Sequence, residues 1–159
     1  MLVLSASATL LAQEKNPKTM IQDRIDYMKA NLLLTGSENQ QLWSVYEQYL
    51  NDEMKIMNTY RKNLEKQGIK LGAPGTNKEA IEKLTDKQLT YLQDQKLEMR
   101  KNLLNLEISY HKKYKAFMTP RHLQDLYNLE YKYKKEVTKK KAESKKDTSG
   151  PVNAGKKKR

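Results

Sequence analysis

The sequence predicts an all-α protein. Apolar residues recur at intervals of three and four over long stretches, the period of a helix that buries one face. Alternating β-branched runs, the mark of strands, are missing. Three places carry helix-start chemistry: Thr35 with Glu38, Thr85 with Gln88, and Thr119 followed by Pro120. The expected architecture is four helices, including a long antiparallel hairpin, and a disordered basic C-terminal tail. Hydrophobic residues make up 37% of the chain and charged residues 31%, with mean hydropathy −0.94. That is too polar for a large spherical core. It fits thin helical layers, where each helix buries a stripe and wets the rest.

The chain begins MLVLSASATLLA and turns abruptly polar at Gln13-Glu14-Lys15-Asn16-Pro17. Residues 1–12 read as the hydrophobic and cleavage regions of a secretory signal peptide, with cutting expected after Ala12. No Lys or Arg precedes Lys15, so the positive start of such a signal is absent. The expectation is a truncated or misassigned start. Twelve residues are too few to span a bilayer, which takes about 20.

From Thr19 to about Leu34, Ile21, Ile25, Met28 and Leu32 fall on one helical face, with Lys18 and Arg24 outside that stripe. Thr35-Gly36-Ser37-Glu38 ends it. Both Thr35 with Glu38 and Ser37 with Gln40 fit a capping box, and either starts a second helix near residue 36. That helix runs to about Gln67 on Leu42, Tyr46, Tyr49, Glu53, Met57, Tyr60 and Leu64, roughly 45 Å long. QGIKLGAPGTN, residues 67–77, is the main loop, a terminator and turn with no phosphate-binding pattern.

A third helix is expected from Lys78 to Met118, roughly 60 Å if unbroken. Its stripe is Ile81, Leu84, Gln88, Leu92, Gln95, Met99, Leu103, Leu106, Tyr110, Tyr114 and Phe117, and Thr85-Asp86-Lys87-Gln88 allows a kink or restart. Thr119-Pro120 then makes a sharp joint. Thr119 can accept from a free first-turn N–H, and Pro120 suits a position that needs none. The fourth helix carries Leu123, Leu126, Tyr127, Glu130, Tyr133 and Val137, and is expected to fray after Val137. The domain division is therefore a signal-like 1–12, a helical 19–137 and a disordered Lys-rich tail 138–159. The tail holds nine basic residues against two acids, so +7 of the total +12 lies there and +5 in the rest.

Two stretches carry a likeness to a known family. One is Leu34-Thr35-Gly36-Ser37-Glu38 with Leu42-Trp43-Ser44-Val45-Tyr46-Glu47-Gln48-Tyr49. The other is Phe117-Met118-Thr119-Pro120-Arg121-His122 with Leu126-Tyr127-Asn128-Leu129-Glu130-Tyr131-Lys132-Tyr133. Over residues 19 to 137 these resemble the Spy/CpxP-related periplasmic proteins with Leu-Thr-x-x-Gln helix starts, in the subgroup labelled periplasmic heavy-metal sensors or sensors of ECF-type sigma factors. Glu38 and His122 stand where that pattern has Gln, and the first copy lacks the proline. The resemblance implies an all-helical, cradle-like, often dimeric envelope protein, with ATP-independent chaperoning or stress sensing and no catalytic residue.

No Ser-His-Asp or Gly-x-Ser-x-Gly arrangement occurs, and acid pairs such as Asp23/Asp26 sit on thin helices without a pocket. No enzyme and no cofactor is expected. With no cysteine, thiolate chemistry is excluded. His111 and His122 are the only histidines and flank the joint, roughly 10 Å or more apart along the chain path. They are weak metal candidates, and surface placement is the expectation.

The periodic aromatics Trp43, Tyr46, Tyr49, Tyr60, Tyr110, Tyr114, Tyr127 and Tyr133 read as packing. Tyr27, Tyr91 and Tyr131 lie off the stripes or at their margins. They are exposed candidates for a client-binding surface, with Lys112, Lys113, Lys115, Lys132, Lys134 and Lys135 attracting acidic clients. The expected partners are unfolded or envelope proteins, a second copy of the chain, and a membrane surface against the Lys-rich tail, with no small-molecule substrate. A cytoplasmic nucleic-acid binder using that tail, or a coiled-coil adaptor, is the competing reading.

Overall fold

The computed structural model describes residues 16–70 and 77–146. The signal-like segment 1–12, loop residues 71–76 and the tail from 147 lie outside the described residues. The described chain is all-α: α1 Pro17–Asn31, α2 Gly36–Lys66, α3 Asn77–Glu82, α4 Asp86–Lys115 and α5 Pro120–Lys146, with no strand among them.

Local chemistry explains the ends. The Asn16 side chain accepts from Lys18 N–H at 3.1 Å and Pro17 opens α1, two residues earlier than the apolar stripe implied. Of the two capping options before α2, Thr35 with Glu38 is the one used. Glu38 Oε2 accepts from Thr35 N–H at 3.0 Å and from its hydroxyl at 2.7 Å.

At the far end of α2, Ile69 N–H donates to Leu64 C=O and Gly68 N–H to Glu65 C=O, a Schellman turn. Gly68 holds φ +70° there, and the apolar contact that accompanies such turns is Ile69 against Leu64. Space is not the constraint, since the nearest atom to an added Cβ lies 3.9 Å away. Gly68→Ala is expected to cost about 1 kcal/mol through the left-handed backbone alone, read as a lower urea midpoint at unchanged slope.

The four-helix expectation is corrected to five among the described residues. The expected third helix is two, because the box at Thr85 wins over continuation. Thr85 N–H donates to Gln88 Oε1 at 3.1 Å and Gln88 N–H to Thr85 Oγ1 at 3.3 Å. Gln88 Nε2 also donates to Gln67 C=O at 3.1 Å, so the same side chain ties the start of α4 to the end of α2.

The expected fraying after Val137 is corrected too, since α5 continues to Lys146. Lys, Ala and Glu are good helix formers. The Thr138 hydroxyl donates to Lys134 C=O, and Lys139 lies 3.9 Å from Glu143 one turn on. No described helix is long and apolar enough to cross a membrane.

α2 and α4 lie side by side. Gln67 meets Gln88, Asn63 meets Gln95, and Asp52 meets Tyr110, so one helix descends as the other climbs. Two hydrophobic cores hold this layer. The larger joins Ile25, Met28 and Leu32 of α1 to Leu42, Tyr46, Tyr49 and Leu50 of α2, Tyr110 and Tyr114 of α4, and Met118, Leu123 and Leu126 at the joint. The smaller is Leu64, Ile69 and Leu92, beside Tyr60, Ile81, Leu84 and Tyr91. Between them the facing residues Met57, Tyr60, Met99 and Leu103 are only half-buried. On its outer side α4 leaves Leu97, Leu104 and Ile108 exposed.

Candidate functional site

The best-specified constellation is the joint itself. Glu38, in the first turn of α2, is 2% exposed, and its carboxylate caps two helices at once. Besides Thr35, it accepts from Thr119 N–H at 2.8 Å and from His122 Nδ1 at 2.8 Å. Desolvation acts to raise its pKa. The hydrogen bonds from Thr119, Thr35 and His122 outweigh that and hold it at about 2, so the carboxylate is ionised and His122 Nδ1 carries the hydrogen. One side chain thus binds the start of α2 to the start of α5. Of the four helix-start residues singled out in the sequence, Thr35, Glu38 and Thr119 meet here, and Pro120 opens α5.

A second cluster bridges α1, α2 and α5. The Arg24 guanidinium donates to Glu53 Oε2 at 2.7 Å, to Tyr46 OH at 3.1 Å and to Glu130, which also accepts from the Tyr46 hydroxyl. Arg24 and Glu130 are 11% and 12% exposed. Burial acts to lower the Arg24 pKa, but the charge of Glu130, then Tyr46 and Glu53, raises it above its ordinary value. Burial likewise pushes the Tyr46 hydroxyl up, against the field of Arg24. Lys134 adds a second cation, 3.9 Å from Glu53 and 4.0 Å from Glu130. Arg24 is off the apolar stripe of α1 and was not a sequence candidate. The signal for it was the pair of acids, Glu53 and Glu130, that occupy stripe positions on α2 and α5 and so need a buried cation.

The aromatics of the stripes form a ladder. Trp43, Tyr46, Tyr49, Tyr110, Tyr114 and Phe117 follow one another with ring centroids 5.4–6.4 Å apart. The Tyr110 hydroxyl donates to Asp52 at 2.8 Å; burial, then that bond, pushes its pKa up to about 12. The Tyr114 hydroxyl is buried and has no hydrogen-bond partner among the described residues.

The candidate client-binding residues do not gather into one surface. Tyr27 is half-buried, its ring 5.2 Å from Tyr133 and its hydroxyl donating to Glu136 at 3.2 Å. Tyr91 is half-buried against the smaller core, its hydroxyl donating to Asn63 C=O at 3.4 Å. Their expected exposure is corrected: each lies at the margin of a stripe where a neighbouring helix covers it. Tyr131 is 70% exposed, as expected. Lys113 lies over the Tyr110 ring at 3.9 Å, and Lys134 belongs to the Arg24 cluster. Lys112, Lys115, Lys132 and Lys135 are exposed.

The two histidines are half-buried and engaged separately, which corrects the surface expectation. His111 Nδ1 is 2.7 Å from Tyr127 OH with the rings stacked, and His122 is held by Glu38. Among the described residues no group of three or more His, Asp or Glu side chains is placed to hold a metal.

Midway along α2 and α4, a cavity of about 220 Å³ opens between Ile56, Tyr60 and Met99, and polar side chains, among them Lys55, Gln95 and Glu98, make up the rest of its lining. The half-buried Met57 and Leu103 occupy the same span. Compared with protein-family models, curated proteins and solved structures, the chain gives no match in any of the three.

Proposed function

We propose that the chain is a non-catalytic binding protein of the bacterial envelope that holds non-native or partner proteins without a nucleotide cycle. The observation that carries this reading is the middle of the α2–α4 layer. Its facing apolar residues stay half-buried between two closed cores, and its flanks are basic. In this reading α2 and α4 form the long hairpin of a cradle, with α1 and α5 closing one end. Lysines and arginines speed encounter with acidic clients, and the methionines and tyrosines bind weakly and without strict geometry. What supports the periplasmic placement is the signal-like MLVLSASATLLA and the resemblance of the two Thr-led joints to the Spy/CpxP-related proteins.

The test is suppression of aggregation. Residues 13–159, added to a reduced, unfolding client at near-stoichiometric ratio, are expected to lower its light scattering in a dose-dependent way without ATP. Scattering unchanged across several clients would remove the chaperone reading. Recovery of the protein with an intact Met1–Ala12 from cytosol would remove the envelope placement.

A further inference from the structure

The half-open span has two faces, and one of them continues the surface that α1 and α5 cover. On α2, Tyr46, Met57 and Leu64 are eleven and seven residues apart, close to whole helical turns, so they share a strip. On α4, Lys96, Leu103 and Tyr114 are seven and eleven apart and do the same. Tyr46 contacts Arg24 of α1 and Glu130 of α5, and Tyr114 lies in the field of Glu130 and Tyr127 of α5. Both are buried there. Farther along the same strips Met57 and Leu103 are half-buried; the cavity lined by Ile56, Tyr60 and Met99 opens on the other face. Leu64 is buried again under the turn that ends α2. The two strips therefore make one groove, roofed by helices at one end and by the turn at the other. Its uncovered part, from Glu53 to Leu64, is roughly 16 Å long, or about three helical turns.

Charge distinguishes the covered end from the open one. Under the roof, Arg24 is matched by Glu53 and Glu130. Along the open part stand Arg61, Lys96 and Arg100, none of which makes an ion pair among the described residues. The acids on this side, Glu53 and Glu107, belong to the closed end. Resting on the binding reading above, we propose that the partner segment is an acidic amphipathic helix of about three turns. It lies over α2 and α4 as a third helix, with apolar residues on Met57 and Leu103 and carboxylates against Arg61, Lys96 and Arg100. Helix-in-groove docking of this kind reads anchors at i, i+3, i+4 and i+7. The flanking charges set orientation and on-rate more than affinity.

The probe is a synthetic peptide of about eleven residues, three turns and roughly 16 Å long, held helical by a hydrocarbon cross-link on its outer face, with Leu at i, i+3, i+4 and i+7 and Glu elsewhere. Its binding to the full chain is followed by fluorescence anisotropy. The acidic peptide is expected to bind, with affinity that falls as salt rises. A same-composition scramble without an apolar face, and a version with Lys for Glu, are expected to bind at least tenfold more weakly. Leu103→Asp is expected to weaken binding roughly tenfold or more, as for an anchor in a hydrophobic groove. Lys96→Glu with Arg100→Glu, a surface change that does not depend on core packing, should transfer the preference to the Lys peptide. Leu104→Asp, on the outer side of α4, should change nothing.

Equal binding of the scramble or of the Lys peptide, or equal loss in Leu104→Asp, overturns the proposal. So does no binding of the acidic peptide. If aggregation suppression persists in that case, the broader binding reading survives its loss; if both fail, both fall.

Discussion

Glu38→Ala is expected to destabilise the protein by about 3 kcal/mol, several times the cost of an ordinary surface substitution. The carboxylate is an ionised acceptor for Thr35, Thr119 and His122, and hydrogen bonds to charged groups each contribute about 1.5–3 kcal/mol. Their losses overlap, because water reaches part of the emptied space. For a domain of this size the change lowers Tm by roughly 10 °C. Glu38→Gln is expected to cost less. A neutral amide still offers one oxygen to Thr119 N–H, but its NH₂ cannot accept from Thr35.

The same carboxylate gives the stability a pH dependence of definite sign. Its pKa is depressed on folding from 4.5 to about 2. The stabilisation is therefore complete above the unfolded value and is lost as pH falls through the window from 4.5 to about 2. Urea denaturation followed by circular dichroism at pH 6, 4 and 3 should show wild type and Glu38→Ala converging as the pH drops. A gap that stays constant would locate the effect in packing instead.

Arg24→Met is the second large effect, expected at about 3 kcal/mol, the low end for breaking a buried pair because Lys134 stays beside both acids. It leaves the buried Glu130 and Glu53 to share Lys134, 4.0 and 3.9 Å away, a half-exposed cation in place of a buried one. An uncompensated buried charge is the costly state, and a buried ion pair as a whole is not strongly stabilising. The double variant Arg24→Met with Glu130→Met should therefore be more stable than Arg24→Met alone, by more than half the loss, with Lys134 still beside Glu53 at 3.9 Å. If instead the two losses added, the cluster would be acting as independent contacts rather than as one electrostatic unit. Urea midpoints of wild type, Arg24→Met, Glu130→Met alone and the double variant at one pH suffice.

What was legible in the sequence is what local chemistry controls. Thr35, Thr85 and Thr119-Pro120 each start a helix, because their partners lie within the next turn. The stripes Leu42–Tyr46–Tyr49 and Tyr110–Tyr114 reach the core because burial follows the helical period. The misses are long-range. Nothing near Glu38 in sequence reveals that its second oxygen serves Thr119, 81 positions on. Arg24 looks like a solvated charge until Glu53 and Glu130 are brought to it from two other helices. Tyr27 and Tyr91 look exposed from their own helices and are half-covered by neighbours. Apolar residues run out after Val137, yet propensity and one Lys–Glu pair carry the helix to Lys146.

The separation of the two cores implies an order of assembly. The smaller one is closed by Gln67 and Gln88, 21 positions apart, and can form from its own stretch of chain. The larger one needs Glu38 and Thr119, 81 positions apart, to find each other. Bringing ends together costs about 0.6 kcal/mol more for each doubling of the loop, so the wider closure from an open chain carries roughly 1.2 kcal/mol of extra entropy. Once the turn end has formed, α2 and α4 lie alongside each other and most of that search is already done. The far turn is therefore expected to nucleate folding and the Glu38 joint to close last, so Glu38→Ala should speed unfolding more than it slows folding in stopped-flow urea jumps.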